Sequence, residues 1–439
     1  ISNISDRISG SGVSTMTEKF DYIIVGAGLC GLTLAKELSQ KNKKVLVLEQ
    51  GGFIKKFGNL IYAASIYDKF TLSKSRQGVI ILRSFGVGGT SIVSCGNAVE
   101  FPEEVIKRIG IDFRGELDAA KKECRQTTKH PIGKASMKIM DSANQLGYDM
   151  QLMSKLGLEK CVSCGNCILG CDHQAKWTAA EYLKDINNQN VFIITGFKVK
   201  KVISSAGKAV GIEGKNNAFS SQKYFADKII LSAGGIGTPI ILQKSGVEEA
   251  GKNLFVDLFT DIYGINKEFN QAKEISMSVV CTKFHKEEGF ILSPFIDSSI
   301  GLLACVDVKY AGYALKLNSL MGLMNKINDD NVGRVYPNGT VDKTPTQNDW
   351  QKLKKGNKIA TEILIKSGVN PKSIFITLPR GAHPGGTAAI GKVVNTSLET
   401  KIKNLYVCDC SVLPEAPGFP PILILVAISK WFAKNILEK

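Results

Sequence analysis

One stretch constrains this chain more than any other: residues 20–52, FDYIIVGAGLCGLTLAKELSQKNKKVLVLEQGG. A short apolar run at 22–25 reads as a buried strand. Gly26, Gly28 and Gly31 follow it in Gly-x-Gly-x-x-Gly spacing. Residues 29–38 carry apolar side chains at helical period, and 44–48 form a second strand that ends on Glu49. Glycines let the backbone turn sharply and come close to a pyrophosphate, and the free N–H groups and dipole of the following helix favour that anion. Glu49 lies about 20 residues beyond the glycines, where an acid accepts adenosine ribose hydroxyls. A glycine triplet alone would be a weak signal. Strand, turn, helix, strand and acid in this order point to a dinucleotide site on an α/β, Rossmann-like fold rather than to an ordinary strand–helix turn.

The chain has 439 residues, 44% of them hydrophobic, which is enough for a large core and more than one domain. The formal charge of +16 is spread over short clusters such as Lys352, Lys354, Lys355 and Lys358. No long basic run or aromatic-interleaved basic repeat appears, so a solvated basic surface is expected and nucleic acid is not an expected partner. A docking face, if formed, suits an acidic redox protein or an anionic membrane surface better. No apolar run reaches the roughly 18 residues a bilayer span needs. Residues 1–19 are polar, rich in Ser and Gly, and lack the apolar segment of a signal peptide, so a disordered or processed tail is expected, with Met16 as a candidate start. A cytoplasmic location follows, with peripheral membrane association left open.

Further along, residues 79–97 hold a second glycine cluster, Gly86, Gly88 and Gly89, followed by Thr90 and Ser91. Small residues admit a flat, bulky ligand and the hydroxyls can bond it, which after a dinucleotide fingerprint reads as flavin contact. Helices are expected at 113–126, 136–146 and 350–367. Residues 191–214 read as a strand pair broken at 204–207, and 228–232 as a strand leading into Gly234, Gly235 and a helix to 244. Residues 275–282 and 300–308 look β-like. Residues 381–387, GAHPGGT, form a tight turn. Residues 405–408 form a short strand that ends at Asp409, and the proline-rich 414–421 opens a last helix to about 437.

Eleven cysteines, four of them within residues 161–171, suit a reducing compartment and a metal centre rather than a disulfide framework. Cys161, Cys164, Cys167 and Cys171 have the C-x2-C-x2-C-x3-C spacing of the bacterial ferredoxin run, which lets thiolates converge on an iron–sulfur cluster. Asp172 stands where that run has proline, and no second run exists to share ligands. One cluster is therefore expected; spacing does not separate [4Fe–4S], the favoured type, from [3Fe–4S]. Structural zinc is the main rival, although zinc sites more often use two cysteine pairs separated by a longer loop, and inert thiols or disulfides rank below it. His173 reads as a surface histidine more readily than as a cap on the cluster.

Five blocks in order now resemble the glucose–methanol–choline flavoprotein oxidoreductases: VGAGLCGLTLAKEL with LEQGG; FGVGGTSIVSCGN; the strands ending in KAVGIEG; IILSAGGIGTP; and HPGGTAAIG followed by NLYVCDCSVLPEAPGFPP. The resemblance implies FAD and hydride transfer from an alcohol carbon to flavin N5. It places His383 at the reactive face as base, Gly234 and Asp409 against the cofactor, and the last helix, from Pro421, with its N-terminus toward the flavin N1–C2 edge. The cysteine run is similar to the subset with an iron–sulfur cluster beside the flavin, as in FAD-dependent sugar and polyol dehydrogenases. One departure stands out. Residues 417–421 read PGFPP, with no polar side chain where the family places a second His or Asn, so Asn97, Tyr310 and Arg380 are weighed as helpers.

The expected organisation follows. FAD-binding parts lie at 20–105, 190–254 and 388–439, a helical insert with the cysteines at 106–189, and an α+β substrate domain at 255–387. In that domain Leu302, Leu303, Leu320, Met321 and Met324 suit a core better than a pocket wall. The expected function is a dehydrogenase of an alcohol or sugar that sends electrons through the cluster to a ferredoxin, cytochrome or quinone. Two alternatives are a ferredoxin-fed reductase of a carbonyl or alkene and a non-catalytic redox subunit or sensor.

Overall fold

The computed structural model describes residues 19–54, 58–71, 73–186, 189–216 and 221–438; the expected tail at 1–19, Met16 included, falls almost wholly outside them. Two sheets organise the molecule. The first has seven strands. Lys19–Val25 lies at its centre, parallel to Val45–Leu48 on one side and to Ser221–Leu231 on the other. Val191–Ile194 extends the parallel array beyond Val45–Leu48, and Leu405–Val407 pairs in parallel with Ser221–Leu231. Continuous Ile, Val and Leu runs suit these strands because both faces are covered: Ile23, Ile24, Val45, Leu46 and Val47 are fully buried. The expected strand pair at 191–214 is in fact three strands. Val191–Ile194 joins the parallel array, while Lys198–Ser205 and Lys208–Lys215 form a hairpin, both residues of whose turn, Ala206 and Gly207, have positive φ.

Helices pack on this sheet. Leu29–Ser39 follows the glycine turn, and the last helix, Ile422–Leu437, packs against both it and Arg114–Glu123. Partly buried ion pairs tie the three together: Lys36 to Glu123 at 2.9 Å, and Lys430 to Glu37 at 2.6 Å and to Glu123 at 2.5 Å.

The second sheet has eight strands, with Leu258–Ile265 and Leu320–Ile327 antiparallel at its middle. Strands from distant segments complete it, including Ile80–Ile81, Met150–Leu152 and Arg380–Gly381. Helix Gln347–Lys366 covers one face, where Leu258, Ile262, Leu323 and Ile363 share a core. Its N-terminus carries a capping box that the sequence reading passed over: Thr346 Oγ1 accepts from Asp349 N, and Asp349 Oδ2 accepts from Thr346 N. The opposite face collects Phe259, Ile291, Met324 and Phe419. The β-like reading of 300–308 is corrected. Ser299–Cys305 is a helix capped by Ser298, whose hydroxyl accepts from Gly301 N at 3.1 Å. Leu302 and Cys305, three apart, point inward while Leu303 is exposed; so short an apolar run does not separate helix from strand.

Two glycines of the opening turn meet backbone where a side chain would sit. A Cβ on Gly26, at φ +105°, would lie 2.3 Å from Ser232 O, and one on Gly31 would lie 1.9 Å from Gly26 O. Gly31→Ala is therefore expected to cost about 1–3 kcal/mol or more in denaturant unfolding, since helix and strand cannot separate without breaking the turn. Gly115→Ala, in a helix with open space around it, is expected to stabilise by about 0.4–1 kcal/mol.

Candidate functional site

The helix that begins at Leu29 has extended Gly28 at its cap, no side-chain cap and no acid in its first turn. Among the described residues, the N–H groups of Leu29, Cys30 and Gly31 have no acceptor. Unpaired donors at a helix start fit an anion such as the pyrophosphate of FAD. The second glycine cluster seats against the first: a Cβ on Gly89 would come within 2.8 Å of Gly28 Cα, and Gly88 N donates to Ala27 O at 2.8 Å.

Glu49 joins the two clusters. Its buried carboxylate accepts from Ala27 N at 2.8 Å, Gly51 N at 2.8 Å and Gly86 N at 3.1 Å. Burial pushes its pKa up while these donors pull it down. The amide of Gln50 bonds the same carboxylate, so backbone N–H groups supply four donors to a group with roughly four lone-pair positions. Thr90 is exposed, with Oγ1 accepting from Ser84 N at 3.3 Å. Ser91 is not available to a ligand in the way the sequence suggests, because its hydroxyl donates to Gly88 O at 2.6 Å and accepts from Ala179 N at 3.0 Å.

Asp409 is also fully engaged. It accepts from Gly234 N, Thr238 Oγ1, Ser411 N and Ser411 Oγ at 2.5–2.8 Å. It therefore holds the Gly234 turn in place. Gly235 abuts the 383–387 turn so closely that a Cβ there would meet Pro384 O at 2.0 Å, and Thr387 Oγ1 donates to Gly235 O at 2.7 Å. Pro421 caps the last helix, again without a side-chain cap or an acid in the first turn.

His383 emerges from that turn with 24% of its side chain exposed. Its Nδ1 lies 2.8 Å from Oδ2 of Asp257, a residue with no exposure at all. Lys326 Nζ lies 3.3 Å from the same nitrogen and 3.4 Å from Asp257 Oδ2. An ammonium has no lone pair, so Nδ1–H donating to the carboxylate satisfies all three groups. Nε2, without a partner among the described residues, then carries the free lone pair. Asp257 Oδ1 accepts from Gly418 N at 3.0 Å and so anchors the PGFPP segment too. Burial lowers the pKa of His383, Lys326 lowers it further, and Asp257 opposes both. Burial would raise the Asp257 pKa, but Lys326 and His383 hold it below its ordinary value.

Sequence reasoning missed Asp257 and Lys326. The signal available was a lone charge inside an apolar strand pattern, in NLFVDLF and LMGLMNKI. Register explains their meeting: Lys326 pairs with Phe259, which places Asp257 diagonally beside it on the same face. None of the three candidate helpers touches His383. Arg380 is buried between Asp261 and Asp297 and lies over the Phe259 ring. Tyr310 stacks on Phe375. Asn97 bonds Lys155 at 2.6 Å and Met277 Sδ at 2.8 Å.

Cys161, Cys164, Cys167 and Cys171 all line one cavity of about 320 Å³, a volume that includes solvent at its mouth, with Lys176, His173 and Ile275 in the same wall. All four are free thiols. Backbone N–H groups of Ser163 and Asn166 bond the sulfurs of Cys161 and Cys164, and Ala175 N donates to Cys171 Sγ at 3.4 Å. Such donors favour thiolates and are a means of tuning a cluster. Among the described residues, Cys164, Asp172 and His173 form the one group of three or more His, Cys, Asp or Glu ligand atoms within 4.8 Å of one another. The four sulfurs are thus spread more widely than a tetrahedral zinc site with Zn–S bonds of about 2.3 Å would hold them. The four thiols lining one cavity are the donor set that an iron–sulfur cluster would use.

Residues 20–259 match the family profile described as GMC oxidoreductase in its N-terminal part, and residues 329–429 match the C-terminal part. An uncharacterized protein of Methanocaldococcus jannaschii is 33% identical over 95% of this chain and 100% of its own. A long-chain-alcohol oxidase of Arabidopsis thaliana is 22% identical over 100% of this chain and 71% of its own. Among solved structures, pyridoxine 4-oxidase from Mesorbium loti superposes with a TM-score of 0.72 at 16% identity, covering 96% of this chain and 100% of that one. A formate oxidase from Aspergillus oryzae RIB40 does so with 0.73 at 15% identity, covering 97% and 99%. No described helix is long and apolar enough to cross a membrane.

The geometry of His383 makes a direct prediction. Nitrogen-15 NMR is expected to find its proton on Nδ1 and its titration below the ordinary value of about 6.5. Asp257→Asn is expected to move that titration lower still, because the opposing charge goes while Lys326 stays.

Proposed function

The chain belongs to the GMC oxidoreductase family, and on that premise we propose that it is an FAD-dependent dehydrogenase of a sugar, polyol or other alcohol whose electrons leave through an iron–sulfur cluster. Bound FAD supplies the hydride acceptor and the cluster a one-electron outlet to a ferredoxin, cytochrome or quinone. The residues that would hold the FAD are the Gly26–Gly31 turn with the helix start at Leu29, Glu49, Gly88 and Gly89, the turn at Gly234 held by Asp409, and the helix start after Pro421. Cys161, Cys164, Cys167 and Cys171 would hold the cluster.

The observation that carries this reading is the unpartnered Nε2 of His383, aligned through Nδ1 by a fully buried carboxylate. His383 takes the substrate hydroxyl proton at Nε2. Asp257 fixes the ring orientation and tautomer and stabilises the imidazolium that results. Lys326 keeps Asp257 ionised and lowers the pKa of His383, so the base stays neutral into mildly acid conditions. By holding Gly418 N, Asp257 also places the PGFPP segment, where the family's second polar side chain is absent, against the same centre. The apolar cluster of Phe259, Ile291, Met324 and Phe419 keeps water from this face of the sheet. The relatives named an alcohol oxidase and a pyridoxine oxidase support a hydroxyl substrate, and the cysteine cavity supports an electron exit that an oxidase would not need.

Anaerobic mixing with a panel of alcohols and sugars is expected to bleach the flavin with at least one of them. His383→Ala is expected to slow that bleaching by on the order of 10²–10⁴-fold; unchanged bleaching would remove His383 as base. Since the base acts when neutral and its pKa is lowered, the acid limb of kcat/KM is expected below pH ~6.5.

A further inference from the structure

Five lysines are buried among the described residues: Lys36, Lys155, Lys176, Lys326 and Lys343. Three of them face a carboxylate. Lys36 meets Glu123 at 2.9 Å, Lys326 meets Asp257 at 3.4 Å and Lys343 meets Asp329 at 2.5 Å. Lys155 and Lys176 do not: no described carboxylate oxygen lies within 4.0 Å of either ammonium. Lys155 Nζ donates to Cys95 O at 3.1 Å, Asn97 Oδ1 at 2.6 Å and Ser276 O at 2.7 Å. Lys176 Nζ donates to Ile92 O and Cys167 O, each at 2.6 Å, and to Ser94 O. Neutral oxygens satisfy their hydrogens but leave two positive charges uncompensated, and a buried charge without its opposite is costly.

Both lysines sit beside the cysteine loop. Lys176 lines the same cavity as the four thiols, and Lys155 lies within electrostatic reach of Cys95, Cys167 and Cys161. An oxidised [4Fe–4S] core ligated by four thiolates carries two net negative charges, which two ammonium ions balance. Lys176 does more than balance charge. It spans from Ile92 and Ser94, in the segment that follows the second glycine cluster, to the backbone of Cys167. One side chain therefore ties the dinucleotide side of the protein to the cluster loop.

Resting on the cluster assignment above, we propose that Lys155 and Lys176 are the counter-charges of an anionic cluster at Cys161, Cys164, Cys167 and Cys171, and that they raise its reduction potential, with Lys176 also setting its position against residues 92–94. Reduction adds one electron to the cluster and makes or breaks no bond. The electron comes from the substrate in turnover and from a poised mediator in a titration. Two fixed positive charges favour the reduced, more negative form, which directs electrons outward from the substrate.

The test uses anaerobically purified holoprotein of the wild type, Lys155→Met and Lys176→Met. Iron and acid-labile sulfide are measured first, followed by mediator titration monitored by electron paramagnetic resonance. At the potential that half-reduces the wild-type cluster, each variant is expected to show a reduced-to-oxidised ratio at least tenfold lower, a shift of about 59 mV for one electron. Full iron content with an unchanged midpoint overturns the proposed role of that lysine and leaves the cluster assignment standing. For a variant that fails to load iron, thermal unfolding of the chelated proteins decides. A variant apoprotein at least as stable as wild-type apoprotein supports the proposal, because the lysine is then an unanswered charge. A less stable one shows a strut for carbonyl groups and overturns it. Wild-type protein that holds zinc, or no metal, ends the cluster assignment and this inference with it.

Discussion

The site depends on the carboxylate of Asp257. It is wholly buried, yet it reaches three segments far apart in the chain: the histidine turn at 383, the amide of Gly418 and the strand that carries Lys326. A buried carboxylate is stable only when its lone pairs and its charge are both answered. Here answering them orients an imidazole and seats the PGFPP segment in the same act. Neighbouring buried carboxylates have their charge answered too, although Asp261 Oδ1 and Arg380 Nε have no hydrogen-bond partner among the described residues. Lys343 answers Asp329, whose pKa burial still raises to about 6, and Arg380 answers Asp261, raised to about 7, together with Asp297. The second sheet is thus a platform of paired charges under an apolar surface.

The dinucleotide side uses the same device in a neutral form. Glu49 is held by backbone amides, and Asp409 by two backbone amides and two hydroxyls. Each gathers turns that the sequence separates, residues 27, 51 and 86 in one case and 234 and 411 in the other. The glycine turns are therefore braced from within the protein, while the helix start at Leu29 keeps donors without an acceptor among the described residues and the one at Ile422 has no side-chain cap. Rigid loops around open helix ends fit a cofactor that supplies the missing anion.

Much of this was legible in the sequence where one residue type serves one local purpose. Gly26, Gly28 and Gly31 are readable because backbone geometry demands them, and the cysteine run because ligand spacing is local. His383 was readable because glycine-rich turns with a histidine are rare in this chain. What escaped were partners set by register across strands. Asp257 and Lys326 lie 69 positions apart and meet through antiparallel pairing that no local pattern reveals. Lys155 and Lys176 were hidden for a related reason, since a lysine reads as solvated until burial is known. The helix at Ser299–Cys305 was misread because seven residues hold too few turns to display a period.

The closing helix carries a consequence for how the chain is made. Cys30 Sγ contacts the carbonyl of Leu425, 395 positions later, and the parallel strand Leu405–Val407 seals the first sheet only from the far end of the chain. During synthesis the strand Lys19–Val25 and helix Leu29–Ser39 wait, with an apolar flank uncovered, for a partner segment 395 positions later. Contacts this distant in sequence form slowly and leave nascent surfaces open to wrong associations. Chains cut before Ile422–Leu437 are therefore expected to fail as folding lesions before they could fail as catalytic ones.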